Sequence, residues 1–316
     1  MPLRIVFMGT AELACASLKA LLDSLHFEIP AVVTQPDRSR GRGLKLQPSP
    51  VKTIAAAAGL PVWQPARASD PDFVAGLAAL RPDLLVVAAY GQILPQAMLD
   101  LPRFGGVNVH ASLLPKYRGA APIQWAILND EAETGVTIMK MAAGLDTGDI
   151  LSRRSIPILP EDNSATLHEH LAALGAELLV PTILDYTSGR ITPQPQVESE
   201  ASHARKITKE DGRLDWTKPA RTLWNQVRAF TPWPGAFTTL SENSARRLLK
   251  ILRATIEDNR HGAPGEILQA DKTGLVVACG QGSLRIHELQ LEGGRKLTAA
   301  EYLAGHPLQP GTKLGS

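Results

Sequence analysis

Short apolar, β-prone runs alternate with helical stretches through the first half of this 316-residue chain, and that rhythm restricts the fold more than any other feature. Leu3–Met8, Ile29–Thr34, Leu84–Ala89 and Gly106–Val109 read as buried strands. Ala11–Leu25, Val51–Ala58, Asp72–Leu80 and Pro122–Leu128 read as helices. Strands apolar on both faces, each followed by a helix, imply a doubly wound, mostly parallel sheet covered on both sides. A long amphipathic stretch from Ala165 to Tyr186 closes this α/β domain. The polar stretch from Thr187 to Ala204, with Pro193 and Pro195 and no apolar periodicity, reads as a linker. Beyond it the pattern changes. One helix, Ala220–Ala229, precedes short strands at Arg247–Ile256, Gly265–Gln269, Leu275–Ala278 and Leu284–Leu289, punctuated by Gly and Pro. This spacing predicts a small open β-barrel. The expected boundaries are 1–189 for the α/β domain, 190–205 for the linker and 206–316 for the barrel.

Composition narrows the class. With 44% hydrophobic and 20% charged residues the chain is globular, and it is long enough for two cores. No apolar run approaches the roughly 20 residues of a membrane span. The chain enters a strand at Leu3 with no signal-peptide pattern. Cys15 and Cys279, far apart, make neither a zinc site nor a disulfide framework, and a reducing cytoplasm is the expected compartment. Net charge is only +2, but its distribution is uneven. Residues 1–205 hold 17 Lys+Arg against 20 Asp+Glu, and residues 206–316 hold 16 against 11. A basic second part is consistent with a polyanionic partner and equally with an ordinary solvated surface.

The chemistry concentrates where the fourth strand ends. In Asn108-Val109-His110-Ala111-Ser112-Leu113-Leu114-Pro115, Asn108 and His110 are two residues apart, so on a strand they share a face. An amide donor then sits beside an imidazole, a group that can carry a proton at neutral pH. Acyl transfer to an amine needs such a pair: a donor for the developing oxyanion and a group that manages the proton. The plain alternative is a strand-end histidine satisfied by one hydrogen bond. Gly144-Leu145-Asp146-Thr147-Gly148-Asp149 adds a carboxylate in a glycine-bracketed turn between the apolar runs Val136–Met141 and Ile150–Ile158. It reads either as a hairpin turn capped by Asp146 or as the carboxylate that orients His110.

Asn108, the His110–Pro115 run and Leu145-Asp146-Thr147-Gly148 together resemble the signature of the 10-formyltetrahydrofolate-dependent formyltransferases. Two further stretches resemble the members of that family whose acceptor is a methionyl-tRNA. One is Thr34-Gln35-Pro36-Asp37-Arg38 with Gly41-Arg42-Gly43 and Pro48-Ser49-Pro50-Val51-Lys52. The other is Arg228-Ala229-Phe230-Thr231-Pro232-Trp233-Pro234-Gly235. The resemblance covers nearly the whole chain. It implies a Rossmann-like formyltransferase domain followed by an OB-like barrel that contributes to tRNA binding. It implies 10-formyltetrahydrofolate as formyl donor, the α-amine of methionyl-initiator tRNA as acceptor, and no metal. N-formylmethionyl-tRNA for translation initiation is the implied product. The implied catalytic residues are Asn108, His110 and Asp146. Folate is expected along Tyr90, Gly91, Gln92, Ile93 and Leu94 and along Ser112, Leu113, Leu114 and Pro115. Arg38, Arg40, Arg42 and Lys45, in a segment without an acid from Arg38 through Ser69, are the expected tRNA contacts, with Arg42 as selector. A cytoplasmic monomer with no membrane partner completes the expectation.

Other readings fit less of the chain. Met8-Gly9-Thr10 after the first strand invites a dinucleotide site, but a lone glycine there is only a tight turn, with no G-x-G-x-x-G. The turn also departs from the family, which commonly has proline where this chain has Ala11. A non-enzymatic RNA-binding protein accounts for the basic segment and leaves Asn108, His110 and Asp146 without a role. A relative acting on an amino sugar, a purine precursor or water would share those three residues. His168 and His170, two apart on a helix, point to different faces and read as solvated rather than as a metal pair. Trp216 and Trp233 read as core or interdomain aromatics in preference to base-stacking platforms.

Overall fold

Leu84–Ala88 is the most uniformly apolar run in the first half, and in the computed structural model it is a central strand with every residue buried. The structure describes residues 2–40, 45–242, 245–257 and 260–315. In chain order the first part holds β1 (Leu3–Gly9), α1 (Leu13–Leu22), β2 (Phe27–Val33), β3 (Arg38–Arg40), β4 (Lys45–Gln47), α2 (Pro50–Ala57), β5 (Val62–Trp63) and α3 (Pro71–Ala79). There follow β6 (Leu84–Ala88), α4 (Gln96–Leu99), β7 (Gly106–His110), β8 (Arg118–Gly119), α5 (Pro122–Leu128), β9 (Glu133–Lys140), β10 (Ile150–Pro157), α6 (Ser164–Thr187) and β11 (His203–Ala204).

Seven strands form one sheet in the order β10-β9-β7-β6-β1-β2-β5. The pairs β1–β2, β1–β6, β2–β5 and β6–β7 are parallel, as the continuous apolar runs require. β9 pairs antiparallel with β7, and β10 pairs antiparallel with β9, the latter two joined by the Asp146 turn without a crossover helix. Val6, Met8, Val33, Leu85, Val87 and Met98 share one apolar cluster with Leu77 of α3. Helix starts follow local chemistry. Ser49 and Asp70 cap α2 and α3 through their side chains, and proline occupies the first turn of each.

The chain divides into two compact units, and the division is not a single cut. The first comprises residues 1–122, 133–157 and 168–204; the second comprises 123–132, 158–167 and 205–316. The stretch expected as a linker is bonded along its length within the first unit. Gln194 exchanges two backbone hydrogen bonds with Ile150 at the start of β10 (2.8 and 2.9 Å). Further on, β11 pairs in parallel with β8.

The second unit carries α7 (Ala220–Ala229), β12 (Ala236–Glu242), β13 (Ala245–Glu257), β14 (Ile267–Asp271), β15 (Gly274–Ala278), β16 (Ser283–Leu291), β17 (Leu297–Thr298) and α8 (Ala299–Gly305). Its antiparallel sheet runs β12-β13-β16-β15-β14. Lys313 and Leu314 close it. Leu314 bridges Leu240 of β12, and Lys313 bridges Glu266 beside β14. The result is a closed ladder with the apolar side chains of Leu249, Ile251, Leu275, Val277, Leu284 and Ile286 inside. Trp216 lies in that core, its indole N–H donating to Thr238 Oγ1 (3.0 Å). Trp233 departs from expectation: it is 51% exposed, held outward among prolines. His168 departs as well: it is half-buried, and burial pushes its pKa down.

Candidate active site

In an open α/β sheet, the crevice forms at the carboxyl ends of strands where the order reverses. Here that reversal falls at β1, flanked by β2 and β6. Thr10, just past β1, donates from Oγ1 to the Tyr90 carbonyl past β6 (3.0 Å), and Gln35 Nε2, past β2, donates to the same carbonyl (2.9 Å). The Tyr90–Leu94 segment expected to line folate therefore starts at the switch point. Within it Tyr90 and Leu94 are buried and Ile93 is 79% exposed. Gln92 is held by the backbone, accepting from Ala68 N (2.7 Å). The Tyr90 hydroxyl is buried with no hydrogen-bond partner among the described residues, and burial raises its pKa to about 12.

β7 ends one strand further on, with Val109 opposite Ala88 of β6. The two-residue period of β7 places Asn108 and His110 as the sequence implied, and the β9–β10 loop brings Asp146 to them. Asn108 Nδ2 donates to Asp146 Oδ1 (3.4 Å). His110, 6% exposed, has Nδ1 3.7 Å from Asp146 Oδ2. This separation is an ion-pair distance and too long for a hydrogen bond. The other ring nitrogen, Nε2, lies 2.9 Å from the Tyr117 carbonyl oxygen. A carbonyl only accepts, so Nε2 carries a proton and donates, leaving Nδ1 turned toward the carboxylate. Asp146 takes its shortest side-chain hydrogen bond from the Gly119 backbone N–H to Oδ2 (2.9 Å). The carboxylate thus meets donors from two separate segments, β7 and β8, and faces an imidazole. That set can polarise a carbonyl and move a proton.

The loop after β7 is built to hold these groups. Ser112, fully buried, donates from Oγ to the Lys116 carbonyl (2.7 Å), and Thr137 Oγ1 donates to the Ser112 carbonyl (2.7 Å). Leu114 N donates back to Thr137 Oγ1 (3.1 Å), so the Ser112–Pro115 run is bonded to β9. Gly119 has φ +119°, and a Cβ there would stand 2.7 Å from the Ala204 carbonyl. Only glycine fits, and its amide is the one that reaches Asp146. Asp146 itself is left-handed at φ +52°. Three contributors escaped the sequence: the Tyr117 carbonyl, the Gly119 amide and the Gln196 side chain. The first two are backbone atoms that no residue type announces. Gln196 lay in a polar stretch read as a linker.

The basic residues sit on a separate hairpin. β3 and β4 pair antiparallel, Arg38 opposite Gln47 and Arg40 opposite Lys45. The Arg38 guanidinium donates to Gln35 Oε1. At the base, Lys52 Nζ bonds Asp37 (2.7 Å) and Gln64 (2.8 Å), and the Lys52 and Gln64 side chains hold the Asp37 carboxyl below the usual range. For Arg40 and Lys45 the backbone alone is described, and Arg42 lies outside the described residues. Among the described residues no group of His, Cys, Asp and Glu could hold a metal ion, and no helix is long and apolar enough to cross a membrane.

Comparison with known proteins covers both parts of the chain. A family model described as formyl transferase matches residues 3–183, and one described as formyl transferase, C-terminal domain, matches residues 206–307. The chain is 50% identical over 313 residues to the methionyl-tRNA formyltransferase of Geobacter sulfurreducens, covering 99% of this chain and 97% of that protein. It is 52% identical over 316 residues to the methionyl-tRNA formyltransferase of Thiobacillus denitrificans, covering 99% and 100%. Among solved structures, the N-formyltransferase of Helicobacter canadensis in complex with folinic acid and dTDP-3-aminofucose aligns with a TM-score of 0.64. At 20% identity, over 94% of this chain and all of that one, the likeness is one of fold.

Proposed function

The chain belongs to the formyl transferase family, and from that premise we propose that it transfers the formyl group of 10-formyltetrahydrofolate to the α-amine of methionyl-initiator tRNA. The observation that carries the chemistry is the meeting of Asn108, His110 and Asp146 at the end of β7. Tetrahydrofolate nitrogen supplies an activated formyl carbon, and the protein's own residues do the rest. A new C–N bond forms from the acceptor amine and the bond to folate N10 breaks. The amine gives up one proton and N10 gains one. The Asn108 amide has two hydrogens, one spent on Asp146, and the second is available to the oxyanion that develops between these steps. Asp146 and His110 take the amine proton and return one to the leaving nitrogen. Tyr90–Leu94 and Ser112–Pro115 are the proposed folate-lining segments, and the Arg38–Gln47 hairpin is the proposed tRNA contact. Its cations would supply salt-dependent attraction to phosphate.

The choice of acceptor rests on relatives about half identical over the full chain that share one name. It is tested by supplying 10-formyltetrahydrofolate with methionyl-initiator tRNA, free methionine or a nucleotide-linked amino sugar, and following the formylated product. Formylation of the charged tRNA far above the other two is expected. Preference for the amino sugar, or folate hydrolysis without an acceptor, would replace this reading with that of a different family branch.

A further inference from the structure

The Asp146 turn is fastened from the stretch that sequence presents as a linker. Gln196 Nε2 donates to two backbone carbonyls of the turn, Asp146 O (2.8 Å) and Gly148 O (2.7 Å). A side-chain amide has two N–H groups, and here both are used. Its oxygen accepts from Arg118 Nε (3.1 Å), which fixes which end of the amide faces the turn. The rest of the Arg118 guanidinium makes a two-pronged ion pair with Glu198 (3.0 and 2.9 Å). Arg118 is 2% exposed, whereas Glu198 is largely in solvent. A guanidinium is costly to bury unless its donors are satisfied, so this one sits where its direction matters. Its neighbour Gly119 supplies the amide that holds the Asp146 carboxylate.

Asp146 adopts a left-handed backbone (φ +52°) that a non-glycine residue sustains at a cost, and where the surroundings over-determine it. The two carbonyl contacts of Gln196 are that over-determination. Without them the turn is free to relax toward the right-handed region, which swings the carboxylate off Asn108, His110 and the Gly119 amide. We infer that Gln196, aimed by Arg118, is a positioning residue that sets the Asp146 carboxylate for formyl transfer. The inference rests on the functional reading of Asp146 given above.

The test is steady-state formylation of methionyl-tRNA by Gln196→Leu, Asp146→Ala and the double variant, with melting temperatures for each. Gln196→Leu keeps the size and removes both donors. Its kcat should fall roughly 10–100-fold, as when groups that orient a reactive residue are removed. Both KM values should stay within about two-fold and the melting temperature close to wild type, because folate and tRNA contacts are untouched. In the Asp146→Ala background the same change should cost nothing further, since Gln196 acts through that carboxylate. A full-rate Gln196→Leu beside a crippled Asp146→Ala overturns the positioning role and leaves the functional reading standing. So does a loss that multiplies in the double variant, or one that tracks a lost melting transition. Should Gln196→Leu not fold, Gln196→Met carries the same expectations. A fully active Asp146→Ala defeats the functional reading itself, and the positioning role with it.

Discussion

Asn108 spends one amide hydrogen on Asp146 and keeps the other, and this divides its work between holding a carboxylate and meeting an oxyanion. Asn108→Ala should lower kcat by roughly 10²–10³-fold with KM for tRNA almost unchanged, because an oxyanion donor acts mainly in the transition state. Near wild-type turnover would remove Asn108 from the mechanism. His110 and Asp146 face each other without a hydrogen bond, so their cooperation is electrostatic or passes through a third group. If they act as a unit, His110→Ala and Asp146→Ala should each be severe and the double change little worse than either. Losses that multiply would show two independent roles. Away from the site, Asp211 accepts from Arg205, Thr208 N (2.7 Å) and Thr208 Oγ1 (2.9 Å), and the Arg205 hydrogen bond is the main cause holding its carboxyl well below its ordinary value of 3.8. A lowered folded-state pKa stabilises above the unfolded value and is lost as pH falls through the folded one. Asp211→Asn should therefore melt lower at neutral pH, and the difference from wild type should shrink steadily below about pH 4. A gap that stays constant down to pH 2 would mean that the charge contributes nothing.

At the scale of elements, polar groups hold the described flanks of the β3–β4 hairpin: Arg38 donates to Gln35, and Lys52 bonds Asp37 and Gln64. Ser49 caps α2 by accepting from Lys52 N (3.0 Å) and shares a hydrogen bond with the fully buried Thr34 hydroxyl (2.7 Å). Ser49→Ala removes both at once. The expected destabilisation is about 1–2 kcal/mol, read as a shift of the denaturant midpoint at constant slope. An unchanged midpoint would mean that water replaces the serine at no cost. The same change should also raise KM for tRNA more than for folate, because α2 and the hairpin share this anchor.

At the scale of the whole molecule, the second unit recruits residues from within the span of the first. Arg221 holds Asp130 through Nε (3.0 Å to each oxygen), and Arg228 donates to the carbonyls of Asp162 (2.7 Å) and Leu159 (2.6 Å) while stacking on Trp224 (4.2 Å). Arg228→Ala should cost about 2–3 kcal/mol, the scale of hydrogen bonds from a charged donor. A change within 0.5 kcal/mol, of the kind roughly typical of surface positions, would show that the contacts are incidental. A chain ended at Ser202, which the sequence boundaries recommend, should not be an intact formyltransferase domain. It strands 123–132 and 158–167 without their core and deletes β11 beside Arg118 and Gly119. Loss of a cooperative thermal transition is expected. A sharp transition near that of the full chain would contradict the interleaved division.

Local periodicity carried most of the elements. The bounds of α5 and α7 coincide with the stretches read from sequence, and β1, β6 and β7 fall within a residue of theirs. A two-residue period alone put Asn108 and His110 on one face, and glycine spacing marked the Asp146 turn. These features are encoded within a few residues of one another, so a linear reading reaches them. What holds the site together is not local. Asp146 is bonded by a backbone amide 27 residues earlier and by a side-chain amide 50 residues later. Every residue has a backbone N–H, so nothing in its side chain marks the one that will be used. Gln196 and Ser202, whose hydroxyl accepts from Tyr117 N (2.9 Å), look like linker residues because polar segments that hydrogen-bond a neighbouring surface have the same composition as segments that bond water. Barrel closure by Lys313 and Leu314, the interleaved units and the reversed direction of β9 likewise depend on which strand edges meet in space. Tertiary structure alone settles that, because unpaired edges accept any backbone that arrives.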